Sequence, residues 1–239
     1  MASVQETIDR YADDSPYAEL AREFLELDRW TGDDPVLLLA EAAASTTGQR
    51  FETGIRPTVE RFRDAFVETG RVETYADLAT IDLDDAELID AFGAQRKRHV
   101  LLEAAAVLAG GTGKDDLAER SEGDDLAALK GWAASADLYR YQEDPIGEIS
   151  GIGPSTFQYL RMLAGIDTVK PDPEVTRLVD EIDAALTNAP LDASEPLRAV
   201  ASCEWLALNS EYRSIEIDRI AWWTFVDEAE RAGAVDDTD

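Results

Sequence analysis

Residues 149–177 read ISGIGPSTFQYLRMLAGIDTVKPDPEVTR and contain two helix starts. The first is Gly-Ile-Gly-Pro at 151–154, where glycines permit positive φ and let a ligand approach the backbone, and proline suits a first helical turn. The second is Pro-Asp-Pro at 171–173, which places a carboxylate at the N-cap of the next helix. Helix N-terminal amides bind anions. The stretch therefore predicts a turn able to hold a phosphate, followed roughly twenty residues later by an oriented carboxylate.

Helical periodicity extends over most of the chain on both sides of this stretch. Apolar residues recur at helical spacing, as in Val175, Leu178, Val179, Ile182 and Leu186. Acidic residues precede proline at Asp34-Pro35, Asp144-Pro145, Asp172-Pro173 and Glu195-Pro196, and this pairing is typical of helix starts. The sequence predicts an all-α protein of roughly nine to eleven helices, with a glycine-rich connection at 110–123.

The charge of the chain is strongly acidic, with 51 acidic against 22 basic residues and a formal net charge of -29. Surface charges repel each other across a Debye length of ~10 Å at 0.1 M salt. The acidic residues are interspersed along amphipathic segments rather than gathered in a tail, which argues against disorder. We therefore expect a folded protein with a surface adapted to molar salt, as in the cytoplasm of a halophile.

Raising KCl toward molar concentrations should stabilise this chain, because salt screens the repulsion among its carboxylates. If screening contributes several kcal/mol, the thermal midpoint should rise by about 10 °C, at roughly 2–4 °C per kcal/mol for a chain of this size. Circular dichroism during heating measures the midpoint. Sucrose at matched concentration is the control, since it strengthens apolar burial without screening charge. A midpoint that fell with added KCl would contradict the expectation.

Single copies of cysteine and histidine exclude several classes of site. Cys203 alone cannot form an intramolecular disulfide or a cysteine-rich zinc or iron-sulfur site, and His99 alone leaves little for imidazole chemistry. The N-terminus lacks a basic and apolar signal, and no apolar run approaches the ~20 residues of a membrane span. We expect a cytoplasmic protein with no metal site and no membrane partner.

The motif order within 145–180 resembles that of the helix-hairpin-helix DNA glycosylase superfamily. The shared pattern is h-x-G-h-G-P-x-T, then Y-L, then V-x-P-D-x-x-V-x-R, where h is an apolar residue. The glycine and basic residues of 92–98, before a long helix, are similar to a segment of these enzymes. Tyr212-Arg213-Ser214 and the aromatic residues after it are similar to the alkylbase branch. The resemblance implies a two-lobed, all-helical fold.

The resemblance also implies a function in base excision repair. Asp172 takes the place of the catalytic aspartate, which stabilises the positive charge that develops on deoxyribose when an N-glycosidic bond breaks. The target base is first rotated out of the duplex into a pocket. Candidate pocket residues are Phe157, Tyr159, Trp132 and Trp205. Candidate DNA contacts are Gly151, Ile152, Gly153, Ser155 and Thr156 at the hairpin, with Arg96 and Lys97 nearby.

Two departures from the family narrow the expected chemistry. Family members that also cut the backbone carry a lysine just after the hairpin, where this chain has Ser155, which cannot form an imine. We therefore expect a monofunctional glycosylase without lyase activity. The iron-sulfur branch is excluded because its four-cysteine loop is absent. The hypothesis requires no cofactor. It leaves open whether a monovalent cation binds at the hairpin.

Simpler interpretations of the same residues stay open. The hairpin glycines suit a plain interhelical turn, and Asp172 suits a helix N-cap worth ~1 kcal/mol. The basic residues of 96–98 suit helical ion pairs, for example Arg98 with Glu103. The aromatic residues Trp222, Trp223 and Phe225 suit anchors of the core.

The chain is predicted to be one globular unit, 1–239. A central helical lobe of about 55–165 contains the helix-hairpin-helix at 145–165, and a second lobe combines about 1–54 with 166–239. The leading hypothesis is a DNA-binding glycosylase. The alternatives are a catalytically inactive DNA-binding or damage-sensing module, and a scaffold for protein contacts whose partners the sequence does not identify.

Overall fold

The computed structural model describes residues 3–110 and 122–236, so most of the predicted connection at 110–123 lies outside the described residues. The described part is all-helical and contains no strand, which confirms the predicted class. Its helices are α1 Val4–Ala12, α2 Tyr17–Glu26, α3 Pro35–Ser45, α4 Arg56–Phe62, α5 Tyr75–Ala79, α6 Ala86–Phe92, α7 Gln95–Leu108, α8 Glu122–Ser135, α9 Pro154–Leu163, α10 Pro173–Ala185, α11 Pro196–Leu208, α12 Ser214–Phe225 and α13 Glu228–Asp236.

Shorter helical segments complete the architecture. Phe51–Ile55 and Arg63–Val67 are π-helical, and Leu138–Glu143 is a 3-10 helix. The described residues hold more helices than the roughly nine to eleven predicted, because α4, α5 and α6 have only five to seven residues each. Such short elements carry too little periodicity to be separated from turns by sequence pattern.

Acidic residues before proline begin helices at three of the four predicted places. Asp34 and Asp172 cap α3 and α10 through their side chains, and Glu195 precedes α11. The prediction at Asp144-Pro145 is wrong, because residues 145–148 form a single hydrogen-bonded turn and no α-helix. The amide of Glu148 donates to the carbonyl of Asp144, and the chain then turns toward the glycines.

Two hydrophobic clusters organise the described residues. The larger is built around α3, whose residues from Pro35 to Ala44 are all buried, and includes residues of α4, α7 and α9. The smaller is formed by residues of α1, α10, α11 and α12. The predicted boundaries assign helices α2 and α3 to the terminal lobe. These helices nevertheless contribute Phe24 and the apolar residues 36–40 and 42–44 to the larger cluster.

The segment between α9 and α10 joins the two clusters. Leu163 and Ala164 belong to the larger cluster, whereas Val169 and Val175 belong to the smaller one. Helix α12 also spans both, through Ile215 on one side and Ile217 on the other. This arrangement places the N-termini of α9 and α10 at the boundary between the clusters. In the described part of the chain, no helix is long and apolar enough to cross a membrane.

Candidate functional site

A cavity of about 660 Å³ lies where the two hydrophobic clusters meet. Its wall combines residues 153–156 at the start of α9, residues 170–174 at the start of α10, and side chains from α2, α12 and residues 45–51. Ligand sites typically occupy ~300–1,000 Å³. The cavity therefore has room for a nucleobase and its sugar.

The glycine turn at residues 151–153 is held in place by α7. Of the predicted helix-hairpin-helix at 145–165, the part after the turn is α9, whereas residues 145–148 before it form a turn and no helix. Gly151 has a φ of +110°, and an added Cβ would lie 2.9 Å from Val100 Cγ2. The Arg96 guanidinium donates to the Gly151 carbonyl over 2.8 Å. Gly153 has extended backbone geometry, and nothing lies within 4 Å of the position that its Cβ would take. Gly151 is thus required for the backbone path, whereas Gly153 faces open space.

Substituting the two glycines should separate these roles. Gly151→Ala should destabilise the protein by about 1–3 kcal/mol, because it forces a methyl group into Val100 and strains a positive φ. Gly153→Ala is the matched change and should cost less than about 1 kcal/mol, the scale of an N-cap substitution. Urea unfolding of both variants in molar KCl measures the difference. Equal losses would contradict the distinction.

The N-terminus of α9 is open to an anion. No side chain caps it, and Pro154 occupies its first turn, so the amides of Ser155 and Thr156 have no side-chain acceptor. Gly153, Ser155 and Thr156 all line the cavity. Ile152 instead packs against the larger hydrophobic cluster, and Gly151 lines a smaller cavity of about 450 Å³ together with Arg96, His99 and Ser150.

Asp172 lines the same cavity from the start of α10. Its Oδ1 accepts a hydrogen bond from the Val175 amide over 3.1 Å, so the residue is the N-cap that the sequence indicates. Within the described chain, Oδ2 accepts no hydrogen bond. Burial raises the pKa of this carboxyl, and Lys170 is the strongest of the groups that oppose the rise. A carboxylate with a raised pKa accepts a proton more readily than an ordinary aspartate does.

Asp218 on α12 holds in place the backbone just before Asp172. Its Oδ1 accepts a hydrogen bond from the Lys170 amide over 2.7 Å, and its Oδ2 accepts two from the Arg219 guanidinium, with 3.0 Å to Nε. The Asp172 amide in turn donates to the Lys170 carbonyl over 2.8 Å. Asp218 is buried, and that burial raises its pKa. It acts as a positioning residue, since its hydrogen bond reaches Asp172 through the backbone of Lys170.

A buried ion pair supports the part of the cavity wall that contains Arg29 and Tyr159. Glu41 on α3 is fully buried and pairs with Arg29, at 2.8 Å between Oε1 and Nη2 and 3.1 Å between Oε2 and Nη1. The Tyr159 hydroxyl donates to the same carboxylate over 2.5 Å. These contacts join α3 to α9 directly behind the cavity and hold Arg29 and Tyr159 in place on its wall.

Three of the four predicted base-pocket residues do not line the cavity. Tyr159 lines the cavity, but Phe157 is buried in the larger cluster, where Trp132 packs against it edge-to-face at 5.3 Å between ring centroids. Trp205 packs against the smaller cluster. The aromatic wall of the cavity consists instead of Phe24, Trp30, Phe51, Tyr159, Trp222 and Phe225. Trp222 and Phe225 are partly exposed wall residues, and Phe225 also packs against the smaller cluster, as the prediction of a core anchor requires.

The predicted basic cluster is divided by burial. Arg96 lies at the hairpin and lines both cavities. Lys97 is buried, with its ammonium 2.5 Å from the Gln49 side-chain oxygen, and so does not present its charge at the surface. Arg98 is also buried and pairs with Asp84 rather than with the predicted Glu103. Of this cluster, only Arg96 is placed to contact a ligand of the hairpin.

Two of the residues above carried signals that sequence reasoning left unused. Glu41 is a lone carboxylate in the apolar run of α3, and such a residue needs a buried partner. Asp218 stands between the buried Ile217 and Ile220, where periodicity predicts an inward position. In the ranges 3–110 and 122–236, no group of three or more His, Cys, Asp or Glu side chains is arranged to hold a metal ion.

Comparisons with protein-family models, with curated proteins and with solved structures give no match to this chain.

Proposed function

We propose that this protein binds DNA through the hairpin and hydrolyses the N-glycosidic bond of a damaged or mispaired base, with Asp172 as the catalytic residue. One observation carries the proposal: the uncapped N-terminus of α9 and the carboxylate of Asp172 line a single cavity of nucleoside size. One wall is suited to an anionic phosphate, and the other to a developing positive charge.

The arrangement is consistent with a simple hydrolytic mechanism. A phosphate of the backbone would bind the amides of Ser155 and Thr156, which positions the adjacent nucleotide at the cavity. The glycosidic bond breaks with its electron pair leaving on the base, and Asp172 stabilises the cationic sugar. Water then adds at C1′ and gives its proton to the free Oδ2 of Asp172. Ser155, at the place of the family's lysine, supplies no amine for strand cleavage.

Binding through backbone amides suits a strongly acidic protein. Lysine and arginine contacts lose affinity steeply with salt, because they depend on release of counterions. Oriented amides provide an anion site without added side-chain charge. Among the described residues, the smaller cavity beside Gly151 is lined by Arg96 and His99 and by no acidic residue.

Acidic residues on the wall of the larger cavity support a second candidate function. Glu23, Asp28 and Glu174 line the larger cavity and would repel a DNA backbone that came close. Repulsion at these residues would keep a DNA strand bound at the glycine turn from delivering a base into the cavity, so this feature favours a module that binds DNA or another partner without catalysis. The two functions differ in product: only the first one releases a free base.

Labelled duplexes that contain uracil, hypoxanthine or an alkylated purine test the proposal in molar KCl. Fluorescence anisotropy reports binding, and alkaline cleavage of the abasic product reports base release. Release from at least one duplex is the expected result. Binding without release would favour the non-catalytic module. Absence of binding in any salt would contradict both functions and favour a scaffold for protein contacts.

A further inference from the structure

Every aromatic residue on the wall of the large cavity has a cationic side chain within 6 Å of its ring centroid. Arg29 lies 4.1 Å from Phe24 and 5.7 Å from Phe51, and Lys170 lies 4.4 Å from Tyr159. The remaining pairs are Arg63 and Arg56 with Trp30, Arg219 with Trp222 and with Phe24, and Arg177 with Phe225. Such pairs occur roughly once per 70–80 residues, so their concentration around one cavity is far above expectation.

Two of these cations are held in place by buried carboxylates. The Arg29 guanidinium is held by two hydrogen bonds to buried Glu41, and the Arg219 guanidinium is held by buried Asp218. The main chain of Lys170 is tied to Asp218. Its ammonium has no carboxylate within 4 Å in the described residues, so a ligand can use it as a donor. Ring faces that already attract a protein cation have less negative potential left for a ligand cation.

We infer that the cavity selects a neutral, planar heterocycle with a carbonyl oxygen for Lys170, and discriminates against cationic bases such as those alkylated on a ring nitrogen. The inference rests on the proposed function and names its substrate class. This substrate class differs from the one that the similarity of residues 212–214 to the alkylbase branch implies. A neutral base stacks on the same rings without repulsion, whereas a cationic base meets the ammonium of Lys170 over the Tyr159 ring. Arg29 and Arg219 already occupy neighbouring ring faces, although Glu41 and Asp218 balance their charges.

Binding of free nucleosides tests the selectivity without any requirement for base release. 3-Methylcytidine is a cation at neutral pH, and its isomer 5-methylcytidine is neutral, while both retain the same ring carbonyl. Quenching of Trp30 and Trp222, which line the cavity, reports binding in molar KCl, where buried charges are screened less than exposed ones. We expect 5-methylcytidine to bind at least about tenfold more tightly, from the scale of desolvated cation–π pairs.

Lys170→Met keeps the length of the side chain and removes its charge. This change should bring the ratio of the two nucleoside affinities closer to one. Lys130→Met is the matched control, since Lys130 is exposed on α8. Equal or tighter binding of 3-methylcytidine by the wild type would overturn the inference, as would binding of neither nucleoside at millimolar concentration. Base release is a separate measurement: preference for the neutral isomer without release from any duplex would support the inference while contradicting the catalytic function.

Discussion

Asp172→Asn should reduce single-turnover base release about 100- to 10,000-fold, the range for loss of a group that accepts a proton in the transition state. Asparagine lacks the negative charge that stabilises the cationic sugar and cannot take a proton from water. It caps helices as well as aspartate does. The hydrogen bond from the Val175 amide should therefore persist, and the free energy of unfolding should change little.

The rate is measured under single-turnover conditions, on the duplex that the wild type processes fastest. Asp180→Asn is the matched control, because Asp180 is exposed on the same helix and makes the same change of charge. Anisotropy should show that both variants bind DNA like the wild type. Wild-type rates in the Asp172 variant would show that the residue is only an N-cap.

Glu41→Leu should destabilise the protein by about 3–5 kcal/mol, the cost of leaving a buried charge without its partner. The change removes the carboxylate that accepts two hydrogen bonds from Arg29 and one from Tyr159. Arg29 is nearly inaccessible, with 10% of its side chain exposed, so water cannot replace the lost partner. Denaturant unfolding in molar KCl measures the loss.

A double-mutant cycle shows whether this cost arises from the pair. Arg29→Met with Glu41→Leu replaces both charges by apolar side chains of similar length, and such replacements are often neutral or stabilising. The double variant should therefore recover most of the stability that Glu41→Leu loses. A double variant as unstable as the sum of the single variants would indicate that Glu41 acts through contacts other than Arg29.

The class of fold and the position of Asp172 could be predicted because both depend on local signals. Apolar spacing identifies helix faces, and acidic residues before proline identify helix starts. The predicted helix start at Asp144-Pro145, which is a turn in the structure, also involves residues close in the chain. Gly147 lies against the backbone of Tyr141, and an added Cβ would be 1.7 Å from the Tyr141 carbonyl oxygen. Glycine, which has no Cβ, permits this close approach of the turn to Tyr141.

The aromatic wall of the cavity could not be predicted, because its residues come from distant parts of the chain. Periodicity shows that a side chain faces inward, but not whether it meets another side chain or an empty volume. Phe157 and Tyr159 are two positions apart on α9, yet one is in the core and the other on the wall. Trp30 and Phe51, by contrast, lie in stretches of sequence whose apolar residues do not show the spacing of an α-helix.

If the glycine turn and Asp172 act on one DNA ligand, a crystal structure of the Asp172→Asn variant with DNA should show both in contact with it. The duplex would carry the target base preferred by the wild type. We expect a phosphate oxygen about 3 Å from the amides of Ser155 and Thr156, with the target nucleotide in the cavity and its C1′ facing Asn in place of Asp172. DNA bound on another surface, or a stacked base with the cavity empty, would contradict the proposed function.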